Sequence, residues 1–263
     1  MKILISNDDG YNSKGIIALA KILRPYGDLT VVGPKTPQSG MSMAVNLDKR
    51  PLAVKRLSAE KGEQWWYLDG TPSSCIKFGL DNVLYPERPD VVVSGINHGA
   101  NCGTAASYSG TVGAAAEGAL AGIPAIAVSL DNISPDADFT VVEELFPPIF
   151  EALLALKPDH FGVHYNVNFP DLPAKEVKGV RIASEALLRW EREFVPVDVP
   201  DGEEGESHYV MAGSIVNVSK DEPLTDHNLV KAGYISVVPL NLMMTDNAEA
   251  AHMRGIGFDR DFH

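Results

Sequence analysis

Cysteine is scarce in this sequence, with only Cys75 and Cys102 among 263 residues. Two thiols form neither a disulfide framework nor a set of zinc ligands. We therefore expect both to be free thiols in a reducing compartment. The sequence also lacks an apolar run long enough to cross a bilayer, and it lacks a hydrophobic leader before a small-residue cleavage site. These absences predict a soluble cytoplasmic protein without a signal peptide.

The sequence also has few basic residues. Lys and Arg number 22 against 35 Asp and Glu, which gives a net charge of -13 and a pI of about 4.9. Such a surface repels nucleic acids and anionic membranes, so we expect neither as a partner. It would also repel a phosphorylated small molecule unless a bound cation reversed the local field. The acidity therefore favours a metal if the substrate is anionic.

Several catalytic and cofactor motifs are missing. Neither a Walker loop nor a Gly-x-Gly-x-x-Gly motif is present, so a dinucleotide cofactor is disfavoured. No Gly-x-Ser-x-Gly nucleophile elbow supports a serine hydrolase, and no His-Glu-x-x-His pair occurs. Of the seven histidines, His98 is the one whose position, next to Asn97, suggests that it reaches a crevice.

What the sequence does contain is an alternation of strand and helix patterns. Short apolar runs typical of buried parallel strands occur at residues 3–5, 29–32, 91–93 and 125–128. Helical patterns occur at 16–23, where Asn12 or Ser13 is a candidate cap, and at 111–121. This alternation predicts an α/β fold with a parallel sheet covered on both faces.

The pattern changes after about Pro173. Strand-like residues at 194–195 and 209–211 flank the acidic stretch 201–206, which predicts a long hairpin with a solvated tip. A later strand is predicted at 234–238. We therefore divide the chain into a body, residues 1–173, and a C-terminal extension, residues 174–263.

Two adjacent acids, Asp8 and Asp9, follow the first predicted strand and precede Gly10. Ligands of α/β sheets bind beyond the carboxyl ends of the strands, and two neighbouring anions repel unless something positive separates them. A hard divalent cation with oxygen ligands would do so. Asp-Asp-Gly is also an ordinary turn or helix-cap sequence, and both interpretations stay open.

Three other polar segments follow predicted strands or open a predicted helix. Ser39 and Asn97 offer a hydroxyl and an amide oxygen to a cation, although each is also a common turn residue. Ser109, Gly110 and Thr111 open the alanine-rich helix, where free N–H groups and the helix dipole favour an anion. A helix cap by Ser109 or Thr111 is the alternative, and it is compatible with an anion site.

Together these segments resemble the SurE family, the stationary-phase survival proteins that act as metal-dependent nucleotidases. The resemblance runs in family order through most of the chain, over the segments 6–10, 38–40, 70–72 with Cys75, 94–97, 101–103, 108–112, 124–131, 166–170, and 233–236 with 239–240. It implies a Rossmann-like, three-layer body with a mostly parallel sheet, and a protruding hairpin exchanged between subunits of a homodimer or homotetramer.

The resemblance also implies an activity and a site. The activity is hydrolysis of nucleoside 5′- and 3′-monophosphates, with short-chain polyphosphate as a further substrate of some members. The implied ligands of one Mg²⁺ or Mn²⁺ per subunit are Asp8, Asp9, Ser39 and Asn97. The implied phosphate contacts are Ser109, Gly110 and Thr111, to which we add Asn97, and we assign catalysis to Asp8 and Asp9. The chain departs from the family pattern at Lys35, Thr36, Pro37, Ser74, Thr104 and Ala105, none of which is an implied ligand.

Two other classes of protein remain as alternatives. A response-receiver signalling domain also has an acidic pair after its first strand and binds Mg²⁺, but it is much smaller and needs a further Asp and a Lys at later strand ends. An α/β protein that binds phosphate without turnover is the second alternative. Phosphate release that is lost with a chelator separates an enzyme from both.

Overall fold

A computed structural model describes residues 1–156, 158, 160–199 and 205–260, which form thirteen strands and six helices. The strands are β1 Lys2–Ser6, β2 Asp28–Pro34, β3 Val54–Glu60, β4 Glu63–Leu68, β5 Val91–His98, β6 Ala125–Leu130, β7 Val163–Phe169, β8 Val180–Ile182, β9 Leu188–Glu191, β10 Phe194–Val197, β11 His208–Met211, β12 Ser214–Asn217 and β13 Ile235–Asn241. The helices are α1 Lys14–Leu23, α2 Pro72–Phe78, α3 Gly110–Leu120, α4 Thr140–Ala155, α5 Asp226–Lys231 and α6 Asn247–Gly255. None of these helices is long and apolar enough to cross a membrane.

Nine of the strands form one sheet in the order β3-β4-β2-β1-β5-β6-β7-β13-β8. The six strands from β4 to β7 are all parallel, which confirms the predicted mostly parallel sheet. Antiparallel pairing adds β3 at one edge and β13 at the other, and β8 runs parallel to β13. Because β8 and β13 come from beyond residue 173, the extension helps to complete the sheet. The domain boundary at residue 173 stays a prediction.

Helices cover both faces of the sheet and give the three-layer arrangement. Side chains alternate along β1, so that Ile3 and Ile5 pack in one apolar cluster and Leu4 in the other. The first cluster includes side chains of α1 and α4, and the second includes side chains of α2 and α3. The even-numbered residues of β1 therefore face α3, whose start lies near the end of that strand.

Helix α1 packs tightly on the central strands. Its cap is Ser13, whose side chain accepts a hydrogen bond from the Ile16 amide, as predicted for one of the two candidate caps. A Cβ on Gly15 would lie 1.9 Å from the carbonyl oxygen of Ile96 in β5. Only glycine permits this contact, which holds α1 against the sheet.

After β8 the chain leaves the sheet as a two-stranded ribbon, β9 to β12. Strand β10 pairs with β11, and β9 pairs with β12, both antiparallel. The predicted hairpin is thus confirmed and is longer than the sequence indicated, while residues 201–204 of its acidic stretch lie outside the described residues. Large apolar side chains of the ribbon face solvent, with Phe194 67% and Met211 71% exposed.

Candidate active site

The turn after β1 is fixed by its own polar side chains. Asn7 is completely buried, and its Nδ2 donates to the Gly10 carbonyl at 3.0 Å and to Ser13 Oγ at 2.8 Å. Gly10 has φ of +105°, a conformation that favours glycine. The turn therefore holds Asp8 and Asp9 at the carboxyl edge of the sheet.

Asp8 is buried against the first turn of α3. Thr111 Oγ1 donates to Asp8 Oδ1 at 2.5 Å, joining residues that are 103 positions apart in the sequence. A Cβ on Gly110 would lie 2.8 Å from Asp8 Cβ. The missing side chain at Gly110 is therefore what lets the start of α3 approach Asp8 closely.

The environment of Asp8 perturbs its protonation. Burial raises the pKa of this carboxyl to about 6, and the neighbouring Asp9 charge adds to the rise. Hydrogen bonds from the Thr111 hydroxyl and backbone N–H oppose it and lower the pKa. Burial and the neighbouring negative charge both disfavour the ionised carboxylate. A bound cation would offset both effects.

Asp9 is held by the end of β5. Its Oδ2 accepts a hydrogen bond from the His98 backbone N–H at 3.2 Å and lies 3.0 Å from His98 Nδ1. The predicted approach of His98 to the crevice is therefore confirmed. Both contacts fall on the same carboxylate oxygen.

Asn97 lies on the neighbouring strand, just after a register shift in β5 between Ser94 and Asn97. Its side chain is buried, and its Nδ2 donates to the Gly99 carbonyl at 2.7 Å. Because the amide nitrogen is used in this bond, Oδ1 is the atom left for a ligand.

The loop that contains Ser39 is anchored on the site from both sides. The Gln38 amide donates to the Asp8 carbonyl at 2.7 Å, and the Ser42 amide donates to the Tyr108 carbonyl at 3.0 Å. Ser39 lies between these anchors and is exposed. Its role as a metal ligand stays a prediction.

The donor set of this edge fits a hard cation. In the part of the chain that the structure describes, no side chain donates a hydrogen bond to Asp8 Oδ2, Asp9 Oδ1 or Asn97 Oδ1. No group of three or more His, Cys, Asp or Glu side chains suited to a metal occurs among the described residues either. A cation here would be bound by carboxylate, amide and hydroxyl oxygens, which suits Mg²⁺ or Mn²⁺ rather than zinc.

The start of α3 combines the two roles considered from the sequence. Ser109 is its cap, with Oγ accepting from the Val112 amide at 3.1 Å. The Thr111 hydroxyl is already bonded to Asp8. The Thr111 backbone N–H also bonds Asp8, so both donors of Thr111 act on this carboxylate. Phosphate contact at Thr111 stays a prediction.

Comparison with known proteins decides the family. A family model described as "Survival protein SurE" matches residues 3–192, more than half of the chain. This chain belongs to the SurE family. A protein named 5′-nucleotidase SurE from Caldanaerobacter subterraneus subsp. tengcongensis is 41% identical over 249 residues, covering 93% of this chain and 92% of the relative.

Other SurE relatives give the same result. A 5′-nucleotidase SurE from Christiangramia forsetii is 38% identical over 245 residues and covers 92% of both chains. The crystal structure of the SurE protein from Aquifex aeolicus superposes with a TM-score of 0.80 at 30% identity. It covers 98% of this chain and 100% of that chain. The three-layer fold is therefore shared with this SurE structure over 98% of the chain.

The SurE segment 166–170 supports the site through a polar network that sequence reasoning did not assign. Asn168 Oδ1 accepts from the Asn101 amide at 2.7 Å, and Asn166 Nδ2 donates to the Asn101 carbonyl at 2.7 Å. Asn101 Nδ2 donates to Ser129 Oγ at 2.9 Å. The network fixes the segment that follows Asn97. The signal was present, because Asn-x-Asn on a strand puts both amides on one face.

Proposed function

We propose that the protein is a divalent-metal-dependent phosphatase of nucleoside 5′- and 3′-monophosphates. The observation that carries the proposal is the buried edge where Asp8, Asp9, Asn97 and the start of α3 meet. The SurE relatives named 5′-nucleotidase support the same reaction. A receiver domain is disfavoured because the nine-stranded sheet and ribbon far exceed that fold.

The proposed metal ligands are Asp8, Asp9, Ser39 and Asn97, which would hold one Mg²⁺ or Mn²⁺ per subunit. When bound, the cation supplies positive charge that polarises the phosphoryl group and makes water more acidic. Thr111 orients Asp8 for this purpose through its 2.5 Å hydrogen bond. The His98 backbone N–H donates to Asp9, and the Asn97 side chain donates to the Gly99 carbonyl.

The proposed phosphate contacts are Asn97, Ser109, Gly110 and Thr111. The dipole of α3 and its first N–H groups favour the negative charge that builds up on the phosphoryl oxygens during transfer. Asp8 or Asp9 orients the attacking water and accepts its proton. Water attacks phosphorus, the ester P–O bond breaks, the leaving oxygen takes up a proton, and the products are nucleoside and inorganic phosphate.

Phosphate release tests this function directly. Purified protein is incubated with adenosine 5′-monophosphate, adenosine 3′-monophosphate or short-chain polyphosphate, in the presence of Mg²⁺ or Mn²⁺. We expect release of phosphate from the nucleotides, its loss on addition of EDTA, and its return when the metal is restored. Tight nucleotide binding with no phosphate release would instead identify a binding protein.

We also propose a homo-oligomer, a dimer or a tetramer, that forms through exchange of the β9–β12 ribbon. Phe194, Tyr209 and Met211 are each more than half exposed on this ribbon. Contiguous exposed apolar side chains on a protruding element are typical of interaction surfaces. A second copy of the chain is the proposed partner, since the family resemblance implies such an exchange.

The proposed location is the cytoplasm. Cys75 and Cys102 are both free and buried, which agrees with a reducing compartment. Burial raises the pKa of both thiols, so neither is poised as a nucleophile. The proposed chemistry accordingly uses neither cysteine.

A further inference from the structure

We propose that the His98 side chain is a positioning residue that fixes the Asp9 carboxylate for metal binding. The inference rests on the proposed function, because it concerns the same site. It assigns a role to a side chain that lies beside the predicted ligands and is not itself one of them.

The chemistry of the two groups determines which atom donates. His98 Nδ1 lies 3.0 Å from Asp9 Oδ2, which is hydrogen-bond distance. An ionised carboxylate only accepts, so the hydrogen must lie on Nδ1. With the backbone N–H at 3.2 Å, Oδ2 then has two donors from one residue.

Two donors on one oxygen of Asp9 fix the orientation of the carboxylate, and with it the position of the other oxygen. The two oxygens are equivalent, so a half-turn of the Asp9 carboxylate restores the same contacts, whereas any smaller rotation lengthens both hydrogen bonds and costs energy. The pair of bonds therefore holds Oδ1 as the oxygen available to a cation. Outer-shell hydrogen bonds of this kind orient metal ligands.

The ring of His98 is itself held in place. It packs edge-to-face on Phe139 with ring centroids 5.1 Å apart, and its side chain is only 13% exposed. Its Nε2 is buried and has no hydrogen-bond partner among the described residues. The contact with Asp9 is therefore the polar interaction that the ring makes here.

A matched pair of variants isolates the hydrogen bond. Asn and Leu have nearly the same shape, and both remove the ring contact with Phe139. The amide nitrogen of Asn reaches the position of Nδ1, so His98→Asn keeps a side-chain donor and His98→Leu removes it. The difference between the two variants therefore reports the hydrogen bond to Asp9 and not the loss of the ring.

Calorimetric titration with Mn²⁺, without substrate, measures the effect. We expect a dissociation constant near that of the wild type in His98→Asn and about tenfold weaker in His98→Leu. Melting temperatures of the two variants in EDTA should agree, because Asp9 is partly exposed and water replaces the lost donor. At saturating Mn²⁺, kcat should be similar in both.

The outcomes separate the two proposals. Equal Mn²⁺ affinities in the two variants, or a difference seen only in the EDTA melting temperatures, would overturn the positioning role and leave the phosphatase intact. A wild-type protein that binds no Mn²⁺ and releases no phosphate would instead contradict the proposed function itself.

Discussion

The carboxyl edge of the sheet buries a charged side chain, whereas the β9–β12 ribbon exposes apolar ones. At the edge, Asp8 and Thr111 are buried and bonded to each other. In the ribbon, the large apolar side chains of Phe194 and Met211 face solvent. Burying a charge and exposing an apolar surface are each unfavourable alone. Both features agree with the proposed partners, which are a cation at the edge and a second chain on the ribbon.

The largest expected effect is at the edge. Asp8→Asn keeps the shape of the side chain and removes its charge, so kcat for phosphate release should fall about a thousandfold. Because the ionised carboxylate is disfavoured by burial, the metal-free variant should melt at the same temperature as the wild type or higher. Phosphate assays and thermal unfolding in EDTA check the two statements.

Asp136 provides the control for that substitution. It is an exposed aspartate whose carboxylate lies 2.6 Å from Lys14 Nζ, and it is not one of the proposed ligands. Asp136→Asn should keep full activity. Full activity in Asp8→Asn as well would remove Asp8 from the metal site.

The next effect concerns pH in the metal-free protein. The folded-state pKa of Asp8 is about 6 and its ordinary value is 3.8, so the folded state binds this proton more tightly. The free energy of unfolding should therefore fall as pH rises from about 4 to about 6, by up to about 3 kcal/mol. Urea unfolding in EDTA across this range measures it.

Asp8→Asn again supplies the comparison, since an amide does not titrate. The fall in stability should be absent from its pH profile. A wild-type profile that matches the variant, or that rises relative to it between pH 4 and 6, would show that burial does not perturb this carboxyl as described.

A smaller effect is expected at Thr111. Thr111→Val removes the hydroxyl that donates to Asp8, and Thr111→Ser retains it. Mn²⁺ affinity should fall about tenfold in the valine variant and change little in the serine variant. Equal affinities by calorimetry would mean that this hydrogen bond does not orient Asp8.

The smallest effect is expected in the ribbon. Met211→Glu places a charge on the exposed apolar face, and the dissociation constant of the oligomer should rise about fivefold. Ile133→Glu is the matched control, because Ile133 is 86% exposed but lies outside the ribbon. Analytical ultracentrifugation measures the oligomer dissociation constant of each variant. The same mass distribution for the two variants would argue against the ribbon as the interface.

Local patterns predicted the elements that carry the site. The strand before Asp8, the cap at Ser13 and the helix opened by Gly110 all depend on residues close in sequence. The outer hairpin was predicted by its apolar strands. Strand β9 was missed because Leu188–Glu191 includes two charged residues, and β12 was missed because Ser214–Asn217 has only two apolar residues. Helix α4 contains Pro147 and Pro148, which hide its helical pattern.

Long-range contacts could not be predicted from local patterns. The bond between Thr111 and Asp8 depends on how α3 and β1 meet in space. Thr104, a departure from the family pattern, accepts a hydrogen bond from the Leu188 amide and so anchors the ribbon beside the site. The fold and the candidate ligands followed from sequence, but the partner of each ligand required the structure.

The most direct test of the metal site is an anomalous difference map from a crystal soaked in Mn²⁺. The account predicts one peak per subunit, within coordination distance of Asp8 Oδ2, Asp9 Oδ1 and Asn97 Oδ1. A map from active protein with no peak there, or with its peak at another place in the fold, would contradict it.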